Sequence, residues 1–181
     1  MGNFRKICLA TPVVALVLTV VFFVFNVIFF GHGPFGKTYR NESLRFSFRY
    51  PANYDLVEQV YVVDHFSVSL TLPVIPMLFA PSPAPPIAVD IYDNPGRLPL
   101  VNWLSTDPRS NFPKAATSTL GTLDGQTVLF YSSTDPYDQE QAAVAQGDKI
   151  YIFSETSYVP TGTVWNDFRF VLSTLKFGKV S

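Results

Sequence analysis

Side chains able to do nucleophilic, acid–base or metal chemistry are sparse in this chain of 181 residues, which holds two His and one Cys. His65 follows Asp64, and such a pair could act as a base with its orienter. Adjacent strand residues point to opposite faces, however, so the expectation is a turn-forming Asp beside a surface His. Zinc takes three or four ligands at spacings such as H-E-x-x-H or paired C-x-x-C. Neither spacing occurs: His32 stands far from His65, and Cys8 lies in an apolar run. No G-x-S-x-G nucleophile motif is present. Asp135, Asp138 and Glu140 offer the oxygen ligands that a hard cation takes from a flexible loop, but without the Asp-x-Asp-x-Asp-Gly alternation of an EF-hand. A solvated acidic loop is expected there, and no cofactor is called for. A hydrolase-like enzyme is the alternative, should Asp64, His65, Asp135, Asp138 and Glu140 converge in one concave pocket.

Gly31, Gly33 and Gly36 spell G-x-G-x-x-G. The dinucleotide fingerprint needs a strand before it and a helix after it. Here an apolar segment precedes, Pro34 lies inside and an alternating pattern follows, so the glycines read as a hinge. The most unusual stretch runs from Leu72 to Pro86, with six prolines between positions 73 and 86 and no charge. Proline excludes helix and central strand, leaving an extended loop of polyproline character. Loops lie on the surface. Val74, Ile75, Met77, Leu78 and Phe79 would then form an exposed apolar patch of the kind that marks contact with a bilayer or a membrane partner. The competing expectation is that this loop folds over a sheet edge and completes the core.

The elements that must carry these residues divide into two parts. Apolar residues make up 48% of the chain and charged ones only 15%, with 13 Lys+Arg against 14 Asp+Glu. That balance excludes a nucleic-acid-binding protein and a disordered chain, and one Cys excludes a disulfide scaffold. Residues 7–30 are apolar except for Thr11, Pro12, Thr19 and Asn26. As a helix they would span about 36 Å, against about 30 Å of hydrocarbon. A cleaved signal peptide has a shorter apolar core, and Lys6 breaks the myristoylation pattern that Met1-Gly2 would open. The expected organisation is a cytoplasmic N-terminus at 1–6, a transmembrane helix at 7–30, a juxtamembrane linker at 31–42 and a globular domain at 43–181. Arg5 and Lys6 favour an N-terminus in the cytoplasm and a domain outside it, in the cell membrane as a single pass.

Within the domain, strand alternation dominates. Leu44, Phe46, Phe48 and Tyr50 share one face, with Arg45, Ser47 and Arg49 on the other. Residues 56–63 are rich in β-branched side chains and read as a strand buried on both faces. Further half-buried strands are expected at 66–72 and 87–92. A short helix is expected over 98–105, with Leu100, Val101 and Leu104 on one face. Asp124-Gly125 and Gly147-Asp148 supply the positive φ of two tight hairpins. Val164, Phe168, Val171 and Leu175, with Leu172 beside them, predict an amphipathic helix capped by Thr161 or Thr163. The fold class is therefore α+β, a mostly antiparallel sheet of about six to eight strands carrying one long and one short helix.

These residues also carry a resemblance. Leu44-Arg45-Phe46-Ser47-Phe48-Arg49-Tyr50-Pro51 resembles the opening F-x-F-x-Y-P strand of PsbP-like domains, and Val101-Asn102-Trp103-Leu104 their short x-x-W-L helix. The Asp124-Gly125 hairpin before Phe130-Tyr131 resembles their central hairpin, and Phe168 through Thr174-Leu175-Lys176-Phe177 their closing helix and T-L-K-F tail. The resemblance covers most of residues 42–177 and implies an α/β/α sandwich around an antiparallel sheet. Photosynthetic members of that family are extrinsic subunits of photosystem II, relatives include Ran-binding transport proteins, and many bacterial members are anchored proteins without an assigned role. Where the plant proteins carry a docking extension, this chain has its apolar segment. The resemblance thus implies a binding scaffold rather than a reaction, since fold alone fixes no function. The expected function is a membrane-anchored, extracytoplasmic binding module for a protein or small ligand; a structural accessory subunit of a membrane complex is a further alternative.

Overall fold

The computed structural model describes residues 36–62, 64–72, 85–133, 138–156 and 163–178. The expected membrane helix at 7–30, the apolar loop residues Val74, Ile75, Met77, Leu78 and Phe79, and also His32, Asp135 and Thr161, lie outside the described residues. Among the described residues no helix is long and apolar enough to cross a membrane.

Among the described residues ten strands form two antiparallel sheets, β1 (Lys37–Asn41), β2 (Phe46–Tyr50), β3 (Asp55–Val62), β4 (His65–Thr71), β5 (Ile87–Asp93), β6 (Ala115–Leu123), β7 (Gln126–Ser133), β8 (Gln139–Gln146), β9 (Lys149–Thr156) and β10 (Lys176–Phe177). The larger sheet has seven strands in the order β3-β4-β5-β9-β8-β7-β6, and the smaller has the order β1-β2-β10. Two helices complete the described fold, α1 (Leu100–Thr106) and α2 (Thr163–Ser173), with a 3-10 turn at Phe112–Lys114.

Side-chain period decides which surfaces meet. On β2, Phe46, Phe48 and Tyr50 are buried while Arg49 is exposed. Those three rings, with Tyr39, face Val68, Leu70, Ile87, Val89, Tyr151 and Phe153 of the large sheet. The buried stripe of α2, Val164, Phe168, Val171 and Leu172, closes the same core. The small sheet and α2 therefore lie side by side as one layer on one face of the large sheet. Each fully buried Phe or Leu contributes roughly 2–3 kcal/mol, so this core is the main source of stability. On the opposite face α1 presses Trp103 and Leu104 onto Tyr92, Leu129, Tyr131, Ala143, Ile150 and Ile152.

Both expected hairpins form where the glycines allow them. Asp124 and Gly125 each have positive φ, 47° and 77°, as a type I′ turn demands. In the second hairpin Gly147 takes φ 63°. Several expectations are corrected. Residues 37–41, read as linker, form β1, because their Tyr39 can be buried only by pairing beside β2. Leu44 is not part of the opening strand: Arg45 turns at φ 54°, and regular pairing begins at Phe46. The strand at 55–62 is not buried on both faces. Among the described residues it is the edge strand of the large sheet, with Val57, Val60 and Tyr61 exposed at 40%, 76% and 56%. On α1 the buried pair is Trp103 and Leu104, and Val101 faces outward. The large sheet has seven strands, within the six to eight expected, but part of the core is covered by a second, three-stranded sheet that was not expected.

Candidate functional site

Among the described residues the α1 side of the large sheet is only half covered by helix. Beyond α1, toward β3, the strand faces line a groove of about 510 Å³. β3 contributes Val57, Gln59 and Tyr61, β4 Ser67, Ser69 and Thr71, and β5 Ala88 and Asp90. Gln139, Ser154 and Thr156 of β8 and β9, with Pro85, close the other side. Strand alternation explains the lining. The residues between them, such as Val68, Leu70, Ile87 and Val89, point into the opposite core, which leaves hydroxyls and amides on the open face.

The groove's ionisable side chain, Asp90, is engaged. Its Oδ1 lies 2.9 Å from His65 Nε2. His65 is sandwiched between two rings, Tyr61 at 5.0 Å and Tyr92 at 4.4 Å, both nearly parallel to it. The stack continues from Tyr92 to Trp103 of α1 at 5.3 Å. Arg109 lies over Tyr92 at 4.8 Å and Trp103 at 5.8 Å, a cation–π arrangement. Its guanidinium meets Asp107 in bidentate fashion at 2.8 and 2.7 Å and reaches Asp64 at 2.6 Å. Hydrogen bonding to Arg109 holds the Asp107 carboxyl below its ordinary range, and Asp107 in turn raises the guanidinium further. Burial, reinforced by the negative charge of Asp90, pushes the Tyr92 hydroxyl well above its usual value, so Tyr92 stays neutral.

A chain of amides fixes the far wall. Gln141 Nε2 donates to Gln139 Oε1 at 2.7 Å, and Gln139 Nε2 donates to Thr156 Oγ1 at 3.2 Å. Asn111 Nδ2 donates to Gln139 Oε1 and to Ser133 Oγ, each at 2.9 Å. Gln141 is 5% exposed, and its Oε1 accepts no hydrogen bond among the described residues. An unmet buried acceptor costs about 1–3 kcal/mol, which favours a donor arriving beside it.

Of the residues singled out by sequence, Asp64 and His65 do not pair with each other. Asp64 binds Arg109, and His65 takes Asp90 from the neighbouring strand. Glu140 is exposed; its Cα partners are Ser132 and Glu155, and its face is the one opposite to His65, with burial raising its carboxyl above the usual range. Asp138 is exposed before β8. These acids and His65 therefore do not converge, and no group of three or more metal-binding side chains exists among the described residues. Among the described residues the side chain hydrogen-bonded to His65 is Asp90, and no hydroxyl is. Sequence reasoning missed Asp90, Gln139 and Arg109. The alternation of β5 put Asp90 on the polar face, but nothing local gave its partner.

No protein-family model and no curated protein matches this chain. Among solved structures it is similar to the solution structure of cyanobacterial PsbP (CyanoP) from Synechocystis sp. PCC 6803, at 16% identity over 78% of this chain and 92% of that one, with a TM-score of 0.49. A crystal structure from Bacteroides thetaiotaomicron is similar at 13% identity, covering 80% of this chain and 49% of the other, with a TM-score of 0.42. The family resembled in sequence is thus also present among the structural neighbours.

Proposed function

We propose that this chain is a non-catalytic binding module, tethered to a membrane by residues 7–30 with its domain outside the cytoplasm, and that its groove receives a small neutral polyhydroxylated ligand such as a sugar. The carrying observation is the lining. Hydroxyls and amides from β3, β4, β8 and β9 surround an exposed aromatic ring, Tyr61, while the acid in the wall, Asp90, is already hydrogen-bonded to His65. Hydroxyl-rich ligands need such paired donors and acceptors, together with a flat apolar face for their C–H groups. An anionic ligand would meet no cationic side chain in this lining. The PsbP-like resemblance, which implies a scaffold rather than a reaction, agrees with this reading. Thr71 and Pro85 stand at the groove near the two ends of the segment holding Val74, Ile75, Met77, Leu78 and Phe79, so a protein contact through that segment would border the ligand.

The test is a titration of the detergent-solubilised full chain with a panel of neutral oligosaccharides and their phosphorylated counterparts, followed by calorimetry. Binding of a neutral member is expected, weakened about tenfold by Tyr61→Ala or Gln59→Ala, the loss of one stacking or hydrogen-bonding contact. Preference for the phosphorylated forms, or no binding by a folded protein, would refute the ligand class. Alkaline carbonate extraction of membranes tests the tether separately: the chain should stay in the pellet.

A further inference from the structure

The elements of the layer formed by the small sheet and α2 present cations on its outer surface, and acids reach that surface only from neighbouring loops. Of its five exposed cations, Arg40, Arg49, Arg169 and Lys176 lie on the outer side, whereas Lys37 shares the side of Tyr39 and donates to the Tyr54 carbonyl at 3.0 Å. The one acid of these elements, Asp167, is turned inward, 7% exposed, where its carboxylate accepts the Tyr54 hydroxyl at 2.9 Å. Inward-facing Tyr39, Phe46, Phe48 and Tyr50 leave Arg40, Ser47 and Arg49 pointing away from the large sheet, and Lys176 pairs opposite Ser47 on that same side. Glu42 and Asp124 meet Arg40 and Lys176 from the rim.

Aromatic rings interleave with these cations. Trp165 is 40% exposed on α2, with the Arg169 guanidinium 6.0 Å from its ring, and Arg49 lies 6.0 Å from the Phe170 ring. Trp beside Arg is the composition of protein surfaces that sit at headgroup level, where an amphipathic ring and a long cationic stem are both half-solvated. The chain also joins the domain at this surface. A Cβ on Gly36 would lie 3.7 Å from Arg49 Nη2 and 3.8 Å from the Phe170 ring. Five residues separate Gly36 from the apolar run ending at Phe30, a reach of at most about 20 Å.

We infer that this outer face of β1, β2, β10 and α2 docks on the surface of the bilayer, its cations against anionic phospholipid headgroups and Trp165 at the interface. The inference rests on the tether proposed above. It orients the groove as well: the groove opens on the opposite side of the large sheet, away from the lipid and toward solvent.

The experiment uses the full chain reconstituted in phosphatidylcholine vesicles, with or without phosphatidylglycerol, carrying bromine-tailed lipids as quenchers. The chain has two Trp, so Trp103→Phe leaves Trp165 as sole reporter; if that variant does not fold, the wild type minus Trp165→Phe gives the same reading. Quenching of Trp165 is expected with phosphatidylglycerol and should be relieved by salt. Each cation near an anionic surface strengthens docking about fivefold, so Arg49→Gln with Arg169→Gln should weaken it about twenty-five-fold. Equal, weak quenching in both lipids, with the chain resistant to carbonate, overturns the docking and leaves the tether standing. Quenching with a carbonate-extractable chain supports the docking and overturns the tether.

Discussion

Arg109 is the residue on which the geometry of the groove's aromatic wall most depends, and its removal is a quantitative test. One guanidinium joins the β3–β4 turn through Asp64, the exit of α1 through Asp107, and the rings of Tyr92 and Trp103. A bidentate carboxylate pair of this exposure contributes about 1 kcal/mol, and the second carboxylate less. Each ring contact adds about 0.5 kcal/mol. The side chain is 34% exposed, so solvent screens the charges, and a total of about 2 kcal/mol for Arg109→Ala is the discounted figure. Urea unfolding should show that loss at unchanged slope, with Tm lower by about 5 °C. Arg109→Lys should recover less than half, because an ammonium can neither fork across Asp107 nor lie flat on Tyr92. Near-UV circular dichroism should report the loosened Tyr92–Trp103 contact in both variants. A cost below about 0.5 kcal/mol for Arg109→Ala, or wild-type stability for Arg109→Lys, would refute the account of Arg109 as a clamp.

Two further perturbations probe the frame. Asp124 turns the β6–β7 hairpin and also accepts Lys176 Nζ and the Phe177 amide, each at 2.8 Å, which lowers its carboxyl below the ordinary value, Lys176 first and the Phe177 N–H second. Asp124→Asn keeps the turn but loses the charge; its cost in urea unfolding should be complete near neutrality and should vanish as pH falls through the lowered carboxyl value, because a protonated Asp124 has lost the same interaction. An unchanged cost at low pH would refute the assignment. A Cβ at Gly121 would stand 2.8 Å from Phe130 Cε2, so Gly121→Ala must displace that ring and should cost about 1–2 kcal/mol; a neutral or stabilising effect in thermal unfolding would show that the ring moves freely.

Much of the fold was legible because it is local. The alternation from Phe46 to Tyr50, the Asp124-Gly125 and Gly147-Asp148 turns and the stripe from Val164 to Leu175 each follow from side-chain period or from positive φ within a few residues. The split into two sheets was not legible, because period 2 tells which side chains share a face but not which sheet the strand joins. A β-branched run at 55–62 suits an edge as well as a centre, and only strand order exposed Val60.

The sequence by itself determined which faces are apolar and where the tight turns fall. Tertiary structure alone decided the site. His65 and Asp90 are 25 residues apart, Arg109 and Asp64 are 45 apart, and the proline-rich stretch between β4 and β5 hides their register from any local pattern. Ion pairs and ring stacks act over a few ångströms in space, whereas periodicity is read along the chain; only folding brings the two together.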